Sequence, residues 1–555
     1  MRMKGDRKIR KQYSVRHRQF YATAFLVLFL FMIFQLVGNF SMVQYRDSKA
    51  VLQEKMTDRN STILMKQMEN AMDYVSEEQM EYLVISRDFS ESGMEVSSVL
   101  ETLEGMKKYH ACVRMSEAEN LKICELPKTL RAVIICGDKE GTALSEKQRG
   151  ELLNRGIHII YTQMPSINGI RKNHLASLFG ISRMNGRLRQ RGMRFTDEVF
   201  LGSILDLEDI TYTLEDVELE PSCKIYAYGL KGRNGKKVQN NEQLPPILWR
   251  NTMGKSKIFV VNGRFFEENK GYGILAAILT QIYGDFLYPV VNASVMIFDS
   301  IPYDGPANEE LLKKLYGRNS GQFQTDILLP DLVSTCKRLG IVPTFYSSAG
   351  SSVPEMEYFE NSVLNLGGML LYRENAPVKP VDISRPEGRI WKHCPDIPVL
   401  ITRFRKNDSD LTKLYSIGSA FGMVVHKVDM SEIINPKSTE DNWIKVSKDY
   451  ACYIAYYKED FGAFESVTAK EASNRYMEYR LMEPHITYHA DFIDVKITHR
   501  SRKASFILRT DKKVKPAEDY VLTKLCEEAY LIETEKDHIR IPMGEEPENE
   551  NMFDY

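Results

Sequence analysis

The sequence lacks several features that would assign it to a common class of protein. No two of its eight cysteines form a Cys-x-x-Cys pair, which argues against a zinc ribbon or a dithiol redox site. No Gly-x-Ser-x-Gly motif is present, which argues against the nucleophile elbow of a serine hydrolase. The formal net charge is −1, so there is no basic excess of the kind that predicts a nucleic-acid partner.

Long apolar runs are also scarce, and a single one stands out near the N-terminus. Residues 1–19 are strongly basic, and residues 20–40 are uncharged and long enough to cross a bilayer as a helix. Because basic residues stay on the cytoplasmic side, this pattern predicts a single-pass anchor in the cell membrane, with the bulk of the chain outside the cytoplasm. A cleaved signal peptide is the alternative, although no small-x-small cleavage pattern follows the run.

The remaining residues of the 555-residue chain are too many for one core, and their pattern changes along the sequence. A polar, helix-favouring stretch predicts a helical stalk, with a flexible tether as the alternative. Alternating short apolar runs and amphipathic segments then predict two α/β domains, and a final period of two predicts antiparallel β structure. The predicted limits are 1–19 cytoplasmic segment, 20–40 anchor, 41–81 stalk, 82–286 doubly wound domain, 287–482 (β/α) barrel, 483–544 β-sandwich-like domain and 545–555 acidic tail.

Three short fragments imitate ligand-binding motifs. Gly254-Lys255-Ser256 is similar to the end of a P-loop, and Gly271-x-Gly273 is similar to a dinucleotide turn, but neither has the surrounding pattern that the motif needs. Both are interpreted as turn and helix-start residues. His485 and His489 have the His-x-x-x-His spacing of a zinc site, but they lie beside a proline in a β pattern, so no metal site is predicted there.

The strands of the predicted barrel end in polar residues. Asp299 follows an apolar run, Arg403 and Arg405 follow a second, and His426 follows a third. Because the carboxyl ends of barrel strands meet at one rim, these residues are predicted to form a shared site with Tyr303 nearby. Asp299 and His426 are the candidate catalytic base and acid, and the arginines and Tyr303 are the candidate substrate-binding groups. The alternatives are a solvated Asp before a turn and a hydrogen-bonded histidine at a strand end.

Five segments carry a resemblance to a known family. They are YPVVNASVMIFDSIP (288–302), GIVPTFY (340–346), PVLITRF (398–404), GMVVHKVD (422–429) and AYLIE (529–533). With the domain order, they make the chain resemble a bacterial membrane-anchored family that is similar to the deacetylase of Pel-type exopolysaccharide synthesis. The resemblance implies an amidotransferase-like or flavodoxin-like domain, a polysaccharide deacetylase-like barrel and a C-terminal β domain.

The resemblance also implies roles for individual residues. Asp299 matches the family's general base, and His426 is similar to its late-strand acid. Ser300 stands where the family has a metal-binding Asp, and no histidine occurs in 362–375, where the family's metal-binding pair is expected. No metal ligand and no cofactor are therefore predicted, because a metal-activated water needs about three protein ligands.

The combined prediction is an envelope protein that binds an extracellular polysaccharide and assists its modification or export. Its predicted partners are the polysaccharide, the membrane and proteins of a polysaccharide synthase or export system. One alternative is an active, divalent-metal-dependent deacetylase of N-acetylated glycans. The other is a non-catalytic scaffold for an envelope synthase complex, in which the barrel has only a structural role.

Overall fold

The computed structural model describes residues 80–87, 94–202, 204–232, 241–267, 270–347, 356–372, 400–401, 408–500 and 502–544. The predicted cytoplasmic segment, anchor and acidic tail lie outside the described residues, as does all of the predicted stalk before residue 80. Within the described ranges, no helix combines the length and the apolar character needed to cross a bilayer. The described cysteines, seven in number, form no disulfides with one another.

The first domain contains a parallel sheet covered on both faces. Its strands and helices are β1 (Tyr82–Ser86), α1 (Met94–Gly105), β2 (His110–Arg114), α2 (Met115–Ala118), β3 (Ala132–Cys136), α3 (Glu146–Asn154) and β4 (His158–Tyr161). Successive residues of β1, Val84 and Ile85, belong to two different core clusters, as expected for a strand buried on both faces. With the later strand β9 (Ser256–Val261), the parallel order is β2-β1-β3-β4-β9, which is that of a flavodoxin-like doubly wound fold.

The polar region after β4 continues the same sheet with antiparallel strands. Its elements are α4 (Ile167–Lys172), α5 (Ala176–Phe179), β5 (Ile181–Phe195), β6 (Leu205–Leu219), β7 (Lys224–Gly229), a 3₁₀ turn (Asn241–Gln243), β8 (Pro246–Met253) and β9 (Ser256–Val261). The full order is β2-β1-β3-β4-β9-β8-β7-β5-β6. Ion pairs join β5 to β6, for example Arg191 to Asp209 at 2.8 Å, which accounts for the polar sequence of this hairpin.

A buried helix, α6 (Gly271–Tyr283), follows this sheet and begins with the two glycines of the dinucleotide-like fragment. A Cβ atom on Gly273 would lie 2.9 Å from the main chain of Ser416. The Ser416 hydroxyl accepts a hydrogen bond from the Gly273 amide at 3.0 Å and donates one to the Lys270 carbonyl at 2.8 Å. Gly273 therefore serves close helix packing. Gly254, with φ of +59°, lies in the turn between β8 and β9, so both glycine interpretations are confirmed.

The second α/β region contains five parallel strands. They are β11 (Ala293–Asp299), β12 (Pro343–Ser347), β13 (Met369–Tyr372), β14 (Leu400–Ile401) and β15 (Met423–Asp429), in the order β13-β12-β11-β15-β14. Because the last strand pairs with the first, the order is cyclic, as in a barrel. Among the described residues, β13 and β14 are the two edges of the sheet.

Helices surround this sheet. They are α7 (Glu309–Tyr316), α8 (Ser320–Phe323), a π-helical segment (Gln324–Leu328), α9 (Leu329–Leu339), α10 (Met356–Leu364), α11 (Asp408–Phe421), α12 (Ser431–Ile434), a 3₁₀ turn (Thr439–Asp441), α13 (Trp443–Phe461) and α14 (Ala469–Leu481). Helix α11 packs against α6, and this contact joins the second α/β region to the first.

Two antiparallel sheets form the C-terminal region around a shared apolar core. One has the order β10-β18-β20-β19 and the other β16-β17-β21. Their strands are β10 (Phe286–Val290), β16 (Glu483–Tyr488), β17 (Phe492–Thr498), β18 (Ala504–Arg509), β19 (Val521–Cys526), β20 (Ala529–Thr534) and β21 (His538–Pro542). Strand β10 precedes the parallel strands in the sequence but pairs with β18. The predicted limit between residues 286 and 287 therefore falls inside a strand of the β domain.

Lys108 is a buried cation at the junction of the first domain with the end of α6. Its ammonium lies 4.7 Å from the ring centroid of Tyr283 and 5.2 Å from that of Phe286. Desolvation by burial lowers the pKa of Lys108 to about 8. Because the folded-state pKa is below the unfolded value, the cost of holding the charge is fully present below pH 8 and disappears as the pH rises past the unfolded pKa.

We therefore expect Lys108→Met to stabilise the protein at pH 7. The gain is about 1 kcal/mol or more, because relief of the buried charge exceeds the lost cation–π contacts. Urea unfolding at pH 7 and at pH 9.5 measures it, and the gain should be smaller at the higher pH. The exposed Lys128→Met is the control and should change little. A loss of stability in the Lys108 variant at pH 7 would contradict the expectation.

Candidate functional site at the carboxyl rim of the parallel sheet

Asp299 is the last residue of β11, the central strand of the five-stranded sheet. The next residue, Ser300, has φ of +59°, so the chain turns sharply there. One carboxylate oxygen of Asp299 accepts a hydrogen bond from the Ser300 amide at 2.8 Å, and the other lies 2.7 Å from the ammonium of Lys427 on β15. The side chains of Asp299 and Lys427 are 22% and 32% exposed, so this ion pair is half-buried and open to solvent at the rim.

His426 lies in the middle of a strand, and its predicted position at a strand end is wrong. Strand β15 continues through Asp429, because the residues after His426 keep the extended pattern and pair with β11. The His426 side chain is 1% exposed, and its ring meets that of Tyr453 edge-on at 6.0 Å. Burial lowers the pKa of His426 to about 3, so the imidazole is neutral at pH 7. A neutral imidazole is poorly suited to the predicted role of acid.

The structure places Asp299 and His426 on opposite faces of the sheet. Side chains alternate along a strand, so Asp299 shares a face with Ile297 and His426 shares a face with Val424. Ile297 belongs to one core cluster together with Val425, whereas Val424 belongs to a different cluster. The described strands therefore do not form a site that contains both the Asp299 carboxylate and the His426 imidazole. The catalytic roles themselves remain predictions.

The other predicted site residues differ in what the structure shows of them. Tyr303 lies in the loop after Asp299 and is half-buried. Its main-chain N–H donates a hydrogen bond to the side chain of Gln324 at 2.8 Å. Arg403 and Arg405 lie outside the described residues, so their predicted substrate contacts remain predictions.

Two residues of this rim were not predicted from the sequence. Lys427 could have been found, because extending the apolar run GMVV through HKVD gives a strand whose alternate residues include Lys427 and Asp429. Gln324 gives no comparable indication, since it lies in a polar helical stretch, QFQTD, with several similar residues.

The described part of the rim can bind polar ligands through charge-assisted hydrogen bonds. The Asp299 carboxylate accepts and the Lys427 ammonium donates, and Asp429 accepts a hydrogen bond from the Ser431 amide at 2.9 Å. Among the described residues, no three His, Cys, Asp or Glu side chains are grouped so that they could hold a metal ion. Of the two positions that the sequence resemblance relates to a carboxylate pair, one holds Ser300, and the other, Asp299, is paired with Lys427.

Comparison with known proteins gives little that is close. No protein-family model matches the sequence, and no curated protein matches it. Among solved structures, the carbohydrate deacetylase Agd3 aligns with a TM-score of 0.47 and 9% identity, over 84% of this chain and 99% of Agd3. The exo-β-1,4-mannosidase Op5Man5 from Opitutaceae bacterium strain TAV5 aligns with a TM-score of 0.21 and 13% identity, over 33% of this chain and 31% of the mannosidase.

Both TM-scores are below 0.5, so neither similarity establishes a shared fold or function. What the strands themselves establish is the class: the described chain is a multidomain α/β protein with parallel, antiparallel and mixed sheets. The prediction of this class from the sequence is confirmed. The deacetylase-like identity of the barrel remains a proposal.

Proposed function

We propose that the chain binds an extracellular polysaccharide at the carboxyl rim of the five-stranded sheet, as a membrane-anchored component of exopolysaccharide modification or export. The half-buried ion pair of Asp299 and Lys427 supports this most strongly. It places an acceptor and a donor at the end of the central strand, where ligands of α/β folds collect. Sugar hydroxyls both donate and accept hydrogen bonds, so such a pair suits them.

Binding is favoured over turnover because of what holds Asp299. The ammonium of Lys427 lies 2.7 Å from the carboxylate oxygen and competes there with any divalent cation. Ser300 stands where the resembled family has its metal-binding Asp. No reaction step is therefore assigned to Asp299. The proposed similarity to deacetylases is limited to the barrel fold and to the kind of glycan that the barrel binds.

We expect Asp299→Asn to weaken the binding of amino-sugar oligomers about tenfold, because the amide cannot accept in place of both carboxylate oxygens or pair with the Lys427 ammonium. Isothermal titration with acetylated and de-N-acetylated β-1,4-linked glucosamine hexamers and with their polymers measures this. The matched control is Asp326→Asn, because Asp326 also forms an ion pair, with Arg318 at 3.0 Å, but lies in the helical layer.

The same samples separate the alternatives. Acetate release that Asp299→Asn abolishes would contradict a binding role and favour the hydrolase. Wild-type protein that binds no oligomer and no polymer in the panel would contradict glycan binding and favour the scaffold. Equal affinities of the wild type and the Asp299 variant would show that the glycan binds somewhere other than this rim.

A further inference from the structure

The loop that begins at Asp299 is held by a buried glutamine from the helical layer. Gln324 is 5% exposed. Its side-chain oxygen accepts a hydrogen bond from the Tyr303 amide at 2.8 Å, and its side-chain nitrogen donates one to the Tyr303 carbonyl at 3.0 Å. Both polar atoms of one side-chain amide are therefore bonded to the main chain of one residue. Such a pair fixes the orientation of that residue as well as its position.

Gln324 begins the π-helical segment between α8 and α9. A π-helical turn is wider than an α-helical one, so it changes the direction in which following side chains leave the helix, and such turns occur often at functional sites. The same side-chain nitrogen of Gln324 lies 3.4 Å from the hydroxyl of Ser320, one turn earlier. The helix and the loop are thus joined through one buried amide.

The ring of Tyr303 is fixed separately. A Cβ atom on Gly305 would lie 2.4 Å from both Cζ and Oη of Tyr303, so the ring lies directly over this glycine. The ring also packs against the main apolar core and is half-buried, which leaves part of it at the surface. Gln324 therefore holds the main chain of Tyr303, and Gly305 leaves room for the ring because it has no side chain.

We infer that Gln324 is a positioning residue of the polysaccharide site, which holds Tyr303 so that its ring receives the apolar face of a sugar bound beside Asp299. This inference rests on the proposed function. An aromatic ring with a polar hydroxyl presents a flat apolar surface and a hydrogen-bonding edge, as a pyranose ring does. A platform ordered before binding avoids the cost of immobilising a side chain and a loop when the sugar arrives.

A first test, made without any ligand, examines the Gln324 clamp, the pair of hydrogen bonds that joins the Gln324 side chain to the main chain of Tyr303. Gln324→Met keeps the length of the side chain and removes both hydrogen bonds to Tyr303. We expect amide hydrogen exchange of the peptide that contains Tyr303 to become roughly fivefold faster, since one of the two lost bonds is that of the exchanging Tyr303 amide itself and has ordinary strength. The control is Gln148→Met, which removes a buried glutamine that donates to the Ala118 carbonyl at 2.7 Å in the first domain. Unchanged exchange at Tyr303 in the Gln324 variant would overturn the clamp.

A second test examines the sugar site by titration with the glucosamine hexamers. Gln324→Met is expected to weaken binding about tenfold, because the ring must then be ordered on binding. Gly305→Ala should weaken it similarly while leaving Gln324 intact, and Gly321→Ala, where a Cβ atom meets only Asn319 at 3.7 Å, is its control. In a Tyr303→Ala background, Gln324→Met should cause no further loss of affinity, because its effect passes through Tyr303.

The outcomes separate the inference from the function on which it rests. If the wild type binds and Asp299→Asn weakens binding, but Gln324→Met leaves the affinity unchanged, the inference is overturned and the proposed function stands. An equal loss from Gln324→Met with and without the Tyr303 ring would show a general structural effect and also overturn it. If the wild type binds none of the sugars, the proposed function fails together with the inferred role, while hydrogen exchange still reports on the clamp.

Discussion

Gly273→Val is expected to lower the free energy of unfolding by about 3 kcal/mol or more. Gly273 lies in α6 where that helix crosses α11, and a Cβ atom there would lie 2.8 Å from the Phe200 ring and 2.9 Å from the main chain of Ser416. The main chain cannot move aside without separating the two α/β regions, because the hydrogen bond from the Gly273 amide to Ser416 spans the same contact. Urea unfolding followed by circular dichroism measures the loss.

Gly150→Ala is the control for this prediction. Gly150 lies within α3, and a Cβ atom there would meet nothing within 4 Å. Alanine in a helix is favoured over glycine, so this change should raise stability by about 0.5–1 kcal/mol. If Gly273→Val were as stable as the wild type, the two helices would have to be less closely packed than the structure shows.

The second large effect is a loss of stability in acid that depends on His426. Burial lowers its folded-state pKa to about 3, below the unfolded value of about 6.5. The unfolded state therefore binds the proton first, and stability falls as the pH drops below 6.5 towards 3. At pH 5 the expected loss from this residue is about 2 kcal/mol relative to pH 8. His158, whose pKa is lowered to about 4 mainly by burial, adds a loss of the same sign.

His426→Gln is expected to reduce the pH dependence of the unfolding midpoint between pH 8 and pH 5, whatever its effect on stability at pH 8. The variant has no side chain at this position that titrates in the range. Denaturant melts at each pH measure the slope, and the exposed His485→Gln is the control, which should keep the wild-type slope. A His426 variant with the wild-type slope would contradict a buried, neutral imidazole.

The sequence predicts the fold class well because burial on two faces leaves a clear pattern. Runs such as YLVIS and AVIIC are mostly apolar, and they are fully buried strands in the structure. The Ser-x-x-Gln pattern at Ser145 is likewise a capping box in the structure, where the Gln148 side-chain oxygen accepts a hydrogen bond from the Ser145 amide. These features depend on neighbours within a few residues, so local reasoning is sufficient for them.

The site was harder to predict because it depends on strand length and on distant neighbours. The prediction ended the strand at His426, because the apolar run GMVV ends there. In the structure the strand continues to Asp429, and the Lys427 side chain lies on the same face as Asp299 and pairs with it. Period-two alternation then places His426 on the other face, and a misplacement of a strand end by three residues changes which groups share a site.

Gln324 shows a further limit of local pattern. Its role arises from contact with a loop that ends more than a dozen residues earlier, and nothing in the composition of QFQTD distinguishes it from Gln322. Gln322 caps its own helix, whereas Gln324 holds Tyr303. In the structure the two glutamines are distinguished by the π-helical segment, which begins at Gln324 and is not predicted by the sequence.

Strand β10 has a consequence for how the polypeptide is made and dissected. The five-residue edge strand Phe286–Val290 leaves the ribosome well before its partner β18, and all strands of the five-stranded sheet emerge between them. The antiparallel sheet of β10 is therefore completed only after the five-stranded parallel region has been synthesised, which makes that region an insertion between the pieces of another domain. A recombinant fragment that begins at residue 287 would divide that strand. A fragment that begins at Phe286 would keep the whole strand together with its partner β18.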